Sequence, residues 1–244
     1  MLEVKNLSVK IWEKQIIDDV NFKFELGKYY CVLGKNGSGK SSLAMTIMGN
    51  PKFEVQNWKL EIVNWKEKIE LNNLKPDERA KLGVFLAFQH IPEIKWVKLF
   101  EFLRTIYDAK NDSQTSFLQF KKIIEPLIEE LGIDKEFLWR DVNVWFSWWE
   151  RRKVEILQLK LLKPKYIFLD EIDSGLDVDA FRNVAGLIKD LNSDENCFIV
   201  ITHYFNILDY LPVDHVYVME KWKVVKEWGP DLAYKVKEDW FKSL

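Results

Sequence analysis

One octapeptide limits what this chain can fold into more than any other feature: Gly34-Lys35-Asn36-Gly37-Ser38-Gly39-Lys40-Ser41 fits the pattern G-x-x-x-x-G-K-[ST]. Before it stands a short apolar run, Tyr29 to Leu33, that reads as a strand. After it comes SLAMTIMG, with helical spacing and a stop at Gly49 and Pro51. In the order strand, glycine-rich loop, helix, successive backbone N–H groups can turn inward around phosphate oxygens, and the helix N-terminus adds partial positive charge. Lys40 is then placed to neutralise the β- and γ-phosphates of a nucleotide. Ser41 offers a hydroxyl to Mg²⁺, and the cradle extends to Ser42 in the first helical turn.

A phosphate loop needs a carboxylate for the metal, and Tyr166-Ile167-Phe168-Leu169-Asp170-Glu171 supplies one at the end of an apolar strand. Asp170 is the expected Mg²⁺ partner, and Glu171 the group that takes a proton from the attacking water or orients it. Around these sites the pattern alternates. Leu2 to Val9 and Ile16 to Phe24 read as strands, and about Ala109 to Lys163 reads as helical, with Phe117, Phe120, Ile123, Ile124, Leu127, Ile128 and Leu131 recurring at three and four residues. Tyr166 to Leu169, Ala180 to Leu191 and Phe198 to Thr202 then read as strand, helix and strand. The implied class is α/β.

Composition excludes several partners. With 36 Lys plus Arg against 38 Asp plus Glu, nothing favours a nucleic-acid backbone. Uncharged runs such as Cys197 to Leu208 fall short of the roughly 20 apolar residues of a spanning helix, and MLEVKNLSVK carries charge where a signal peptide is apolar. A cytoplasmic protein without direct membrane insertion is expected. Cys31 and Cys197 lie far apart in strand-like runs and read as core residues.

The phosphate loop, Gln89, the segment opening at Ser147, Asp170-Glu171, Ser174-Gly175-Leu176-Asp177 and His203 stand in the order used by ABC-type ATPases, and the chain resembles that family over nearly its whole length. Within it, ERAKLGVFLAFQ (Glu78 to Gln89), LDEIDSGLDVDA (Leu169 to Ala180) and ITHYFNILDYL (Ile201 to Leu211) are similar to the SufC group, the ATPases of Suf iron-sulfur cluster assembly. The resemblance implies a P-loop NTPase core with a mostly parallel sheet, an antiparallel β portion near the N-terminus and an inserted helical subdomain. In this chain the core would comprise 1–89 and 161–244, and the helical part 90–160. It implies ATP and Mg²⁺ as ligands. Gln89 would couple the metal and γ-phosphate to the helical lobe, His203 would contact the γ-phosphate, and Ser147 and Asp177 would face a second copy that joins on ATP binding. It implies SufB-like and SufD-like scaffold partners. The ATP-binding subunit of a membrane transporter shares every one of these motifs and stays open as an alternative.

The signature segment departs from the family. Ser147 is followed by Trp148 and Trp149, where ABC ATPases carry two glycines so that backbone can approach a phosphate. Trp12, Trp58, Trp65, Trp96, Trp145, Trp222 and Trp240 also stand where the family has turn glycines, as do Trp139 and Trp228 on a looser match. The chain has 11 Trp and only 10 Gly; reading every Trp as Gly gives 21, near the roughly 17 of average usage. A UGA codon that means glycine in the cell, translated as tryptophan, accounts for all eleven. Taken literally, the same residues describe a nucleotide-binding protein without turnover, yet Lys40, Asp170, Glu171 and His203 are all intact. The aromatic on which adenine stacks in this superfamily would fall near Lys10 or Ile11, and neither is aromatic.

Overall fold

Strict alternation turns the N-terminal segments into a sheet with one dry face. The computed structural model describes residues 1–56, 58–64, 66–172 and 178–229. Strand β1 (Leu2–Ile11) buries Leu2, Val4, Leu7 and Val9, and β2 (Lys14–Phe24) buries Ile17, Val20, Phe22 and Phe24. The two pair antiparallel with register shifts after Val4, Leu7 and Val9. β3 (Tyr29–Leu33) is instead buried along its whole length, as a strand covered on both faces must be. The phosphate loop and α1 (Lys40–Ile47) follow. β4 (Glu54–Gln56) and β5 (Lys59–Val63) both pair with β1, and β6 (Lys68–Glu70) pairs with β5. The short α2 (Pro76–Lys81) leads into β7 (Val84–Ala87).

Residues 90–164 form a compact unit of their own, separate from the unit made of 1–89 and 165–244. The smaller unit contains β8 (Ile94–Lys98), α3 (Leu99–Asn111), α4 (Phe117–Glu130), a 3-10 turn at Lys135–Trp139, β9 (Asp141–Val142) and α5 (Trp148–Leu162). The helical lobe expected over Ala109 to Lys163 is present as separate helices with breaks between them. Asp112 takes a left-handed conformation that ends α3, Gly132 turns the chain after α4, and β9 pairs antiparallel with β8. Phe120, Ile124 and Ile128 form the buried stripe of α4, whereas Phe117 is exposed. The chain returns to the larger unit through β10 (Tyr166–Asp170), α6 (Val178–Leu191), β11 (Cys197–Thr202) and the hairpin of β12 (His215–Glu220) with β13 (Lys223–Trp228). That hairpin was not legible in the sequence pattern.

The second sheet runs β13-β12-β3-β11-β10-β7, parallel from β12 to β7 and antiparallel only at its β13 edge. Aromatic residues join the two sheets. Phe24 of β2 meets Tyr30 of β3 at 5.1 Å and Phe168 of β10 at 5.7 Å between ring centroids, both edge-on, and Phe22 meets Tyr217 of β12 at 4.8 Å. Such pairs add about 0.5–1.5 kcal/mol each to the area they bury. Cys31 and Cys197 sit in this interior as core residues.

Arg79 of α2 is a buried charge that holds the end of the phosphate-loop helix. Its guanidinium donates to the carbonyls of Thr46 (3.0 Å) and Ile47 (2.8 Å) at the C-terminus of α1, and to those of Leu74 (2.9 Å) and Asn72 (3.0 Å). A cation placed on the last carbonyls of a helix also opposes its macrodipole. Arg79→Ala leaves these acceptors in a dry pocket, and urea unfolding should show a loss of about 2–4 kcal/mol, with Arg79→Lys recovering part of it. An alanine variant within about 0.5 kcal/mol of the parent would show that water replaces the guanidinium at no cost.

Candidate nucleotide-binding site

Parallel pairing brings the carboxyl ends of β3, β11, β10 and β7 to one edge of the sheet, where open α/β folds place ligands. Thr202 pairs with Leu33 and Asp170 with Ile201, so the residues that follow each strand are neighbours. The loop after β3 carries Gly34 to Ser41. Asp170 ends β10 with Glu171 next, His203 follows β11, and Gln89 lies just beyond β7.

The loop fits a phosphate by its lack of side chains and by an orphaned donor. A Cβ on Gly34 would collide with the Met219 carbonyl and lie 2.6 Å from Ser38 Oγ. Gly39 has φ of 102°, and a Cβ there would lie 2.5 Å from the Ile16 carbonyl. Ser38 Oγ is buried with no hydrogen-bond partner among the described residues, which is the state expected of a hydroxyl awaiting an oxygen ligand. Lys35, Asn36 and Gly37 form the exposed rim. The Lys40 ammonium is nearly buried and donates across the loop to the carbonyls of Gly34 (2.8 Å) and Lys35 (3.1 Å). Ser42 lies in the first turn of α1, where its carbonyl accepts from Thr46 Oγ1. A cavity of about 260 Å³ opens beside the loop, lined by Leu33, Gly34, Lys35, Asn36, His203, Phe205 and Val218.

The acidic half of the site is assembled in the same unit. Ser41 Oγ donates to Asp170 Oδ1 at 2.9 Å, and burial pushes the Asp170 carboxyl up to about 6, with the Ser41 hydroxyl opposing the rise. Glu171 has φ of 45°, a left-handed conformation that bulky residues avoid, held by its N–H donating to the Ile201 carbonyl at 2.9 Å. Its Oε2 accepts from Gln89 Nε2 at 2.6 Å, and its Oε1 lies 3.4 Å from His203 Nδ1. Gln89, Glu171 and His203 are thus brought together. Among the described residues no cluster of three His, Cys, Asp or Glu could hold a metal alone. Ser41 with Asp170 is the partial donor set with which a protein holds Mg²⁺ when substrate phosphates complete the shell.

Ser147 lies in the smaller unit as the N-cap of α5. Its Oγ accepts from Glu150 N at 3.3 Å, and Glu150 Oε2 accepts from Ser147 N at 2.7 Å, a reciprocal capping box. Trp148 and Trp149 occupy the first turn with rings 6.4 Å apart, and Arg152 lies over the Trp148 ring at 5.1 Å. Asp177, with Ser174 to Leu176, lies outside the described residues. The role of Arg79 is not legible in the sequence, because it depends on burial, for which a lone Arg in ERAKLG offers no signal.

Residues 17–174 match the profile of the family described as ABC transporter. The chain is 40% identical to a probable ATP-dependent transporter ycf16 of Antithamnion sp., over 98% of this chain and 95% of that one. It is 36% identical to an iron-sulfur cluster assembly protein SufC of Plasmodium falciparum, over 100% of this chain and 71% of that one. A dimeric bacterial ABC transporter cassette superposes with a TM-score of 0.76 at 21% identity, over 94% of this chain and 99% of that chain. The same cassette has been seen in a post-hydrolysis state bound to ADP and Pi. Sequence, fold and loop geometry agree, and the chain belongs to the ABC transporter family of ATP-binding ATPases.

Proposed function

We propose that this chain is the ATP-hydrolysing subunit of an iron-sulfur cluster assembly complex, driving scaffold remodelling through ATP-dependent pairing of two copies. The observation that carries the hydrolytic part is the convergence of Gln89, Glu171 and His203 beside a buried Ser41–Asp170 pair. The assembly part rests on the SufC relative, which matches this chain end to end. The relatives described as ATP-dependent transporters favour a second reading, the ATP-binding subunit of a membrane transporter.

In the first reading Lys40 leaves its two carbonyl partners for the β- and γ-phosphate oxygens, and the backbone N–H groups of Gly34 to Ser42 enclose them. Ser41, Asp170 and Gln89 would hold Mg²⁺, which when bound would supply positive charge against the transferred phosphoryl group. Glu171 accepts the proton of the water that attacks the γ-phosphorus as the bond to the bridging oxygen breaks, and Gln89 holds that carboxylate by a hydrogen bond with His203 beside it. His203 also meets the γ-phosphate, while Ser147 and Asp177 face the nucleotide of the second copy.

Lys40→Ala should weaken ATP binding at least about tenfold by removing a charge-assisted contact, measured by titration with a fluorescent ATP analogue. Glu171→Gln should bind ATP normally, lose roughly 10²–10⁴-fold in turnover and accumulate as a dimer in light scattering. Full turnover in that variant would remove Glu171 from the mechanism. Co-purification with soluble SufB-like and SufD-like proteins supports the assembly reading, and recovery only with a multi-span permease supports the transporter.

Asp170 adds a test without nucleotide. A carboxyl raised to about 6 in the fold against roughly 3.9 unfolded favours folding in its protonated form. The nucleotide-free protein therefore loses stability as pH rises from about 4 to about 6 and stays at the lower level above it. Asp170→Asn, unfolded in EDTA at pH 7.5, should be more stable than the parent by on the order of 1–3 kcal/mol, with the gap closing towards pH 4 and ATP turnover abolished. A less stable Asn variant would show that the carboxylate is satisfied without metal.

A further inference from the structure

Trp12, Trp96, Trp145 and Trp222 have φ of 59°, 68°, 59° and 71°. A Cβ makes this region costly, and for a bulky residue it is an outlier. The other non-glycine residues found there are Asn, Asp, Lys and Glu, and among the described residues no Phe or Tyr joins them, although the chain has 16 Phe and 8 Tyr. Among the described residues, tryptophan alone of the aromatics adopts a glycine backbone.

The local geometry at each position asks for glycine. Trp12 and Glu13 link Ile11 to Lys14 across the β1–β2 hairpin with positive φ at the first loop residue only, the position where such a two-residue turn takes Gly. Lys221 and Trp222 link Glu220 to Lys223 with φ of 47° and 71°, the pattern served by Asn-Gly. Trp96 lies in β8 at the register shift between Ile94 and Lys98, where a bulge places a left-handed residue. Trp145 lies in the turn that leads to α5. Nor does burial of the indoles offset the strain: Trp12, Trp96 and Trp145 are 83%, 91% and 86% exposed. A side chain that ordinarily removes 150–250 Å² from water here removes little.

The geometry points to glycine as the residue at the tryptophan positions of the native protein, inserted at a codon that this sequence renders as Trp. The backbone carries the inference at four positions, and a shared codon extends it to the other seven, Trp148 and Trp149 included. With glycine there, Arg152 loses the ring beneath it but keeps Glu155 at 2.5 Å, and the first turn of α5 presents bare N–H groups. Trp58 and Trp139 are the demanding cases, because neither has positive φ and both make contacts: Trp58 beneath the Arg79 guanidinium at 5.6 Å, and Trp139 stacked on Phe100 at 5.4 Å.

The test is peptide mass spectrometry of the protein purified from its own cells, with the gene sequenced at the same positions. Glycine at all eleven positions, each encoded by UGA, is the expected result. Tryptophan in the peptide spanning Trp12, Trp96, Trp145 or Trp222, or a UGG codon at any of them, overturns the inference, and tryptophan at Trp58 or Trp139 overturns the shared codon. A recombinant comparison reads the strain separately. Replacing Trp12, Trp96, Trp145 and Trp222 together by glycine should raise Tm by roughly 5 °C or more, whereas a fall in Tm contradicts the backbone argument. Neither readout involves ATP, so failure of the proposed function and failure of this inference are distinguishable.

Discussion

Phe24 stands edge-on to both Tyr30 and Phe168, and through that contact the antiparallel sheet closes one face of the parallel sheet. Everything chemical depends on this closure. β3, β10 and β11 can be buried along their whole length only if both faces are covered, and only then is their parallel register held tightly. The register decides which residues leave the sheet together. A one-residue slip of β10 against β11 would send Asp170 to the opposite face and separate Glu171 from His203. Carboxylates, histidine and phosphate loop converge because five aromatic rings exclude water some distance behind them.

The site itself runs against the stability of the fold. Asp170 is buried at an edge where charge is disfavoured, Glu171 is held in a left-handed conformation, and Ser38 keeps a hydroxyl with no described partner. Each is a local departure of the kind a fold tolerates where a ligand supplies what is missing. Arg79 works in the opposite sense. By satisfying the carbonyls at the far end of α1, it fixes the helix whose N-terminus must stay open to phosphate.

The features legible in the sequence were those carried by short-range pattern. The octapeptide, the buried strands Tyr29 to Leu33 and Phe198 to Thr202, and the alternation of β1 and β2 need only neighbours along the chain to declare themselves. The helical lobe read over Ala109 to Lys163 is present, but its breaks at Asp112 and Gly132 were not legible, because single residues at positive φ interrupt a periodicity without erasing it. The β12–β13 hairpin was missed for a related reason. Its turn is Lys221-Trp222, which lacks the Asn-Gly or Asp-Gly signal that marks such a turn.

That omission joins the turn signals to the chemistry. A chain whose turns have lost their glycines should be hard to read and hard to fold, yet here both hairpins close with two-residue loops, and the strands stay paired through the register shifts beyond them. The constraint lies in the backbone, since a two-residue turn of this hand admits a left-handed residue whatever side chain the sequence names. The same constraint governs the first turn of α5. Phosphate recognition by backbone N–H groups requires a surface with nothing in front of it, and glycine alone provides that without altering the helix behind. Turn geometry in one part of the chain and phosphate access in another therefore ask for the same residue.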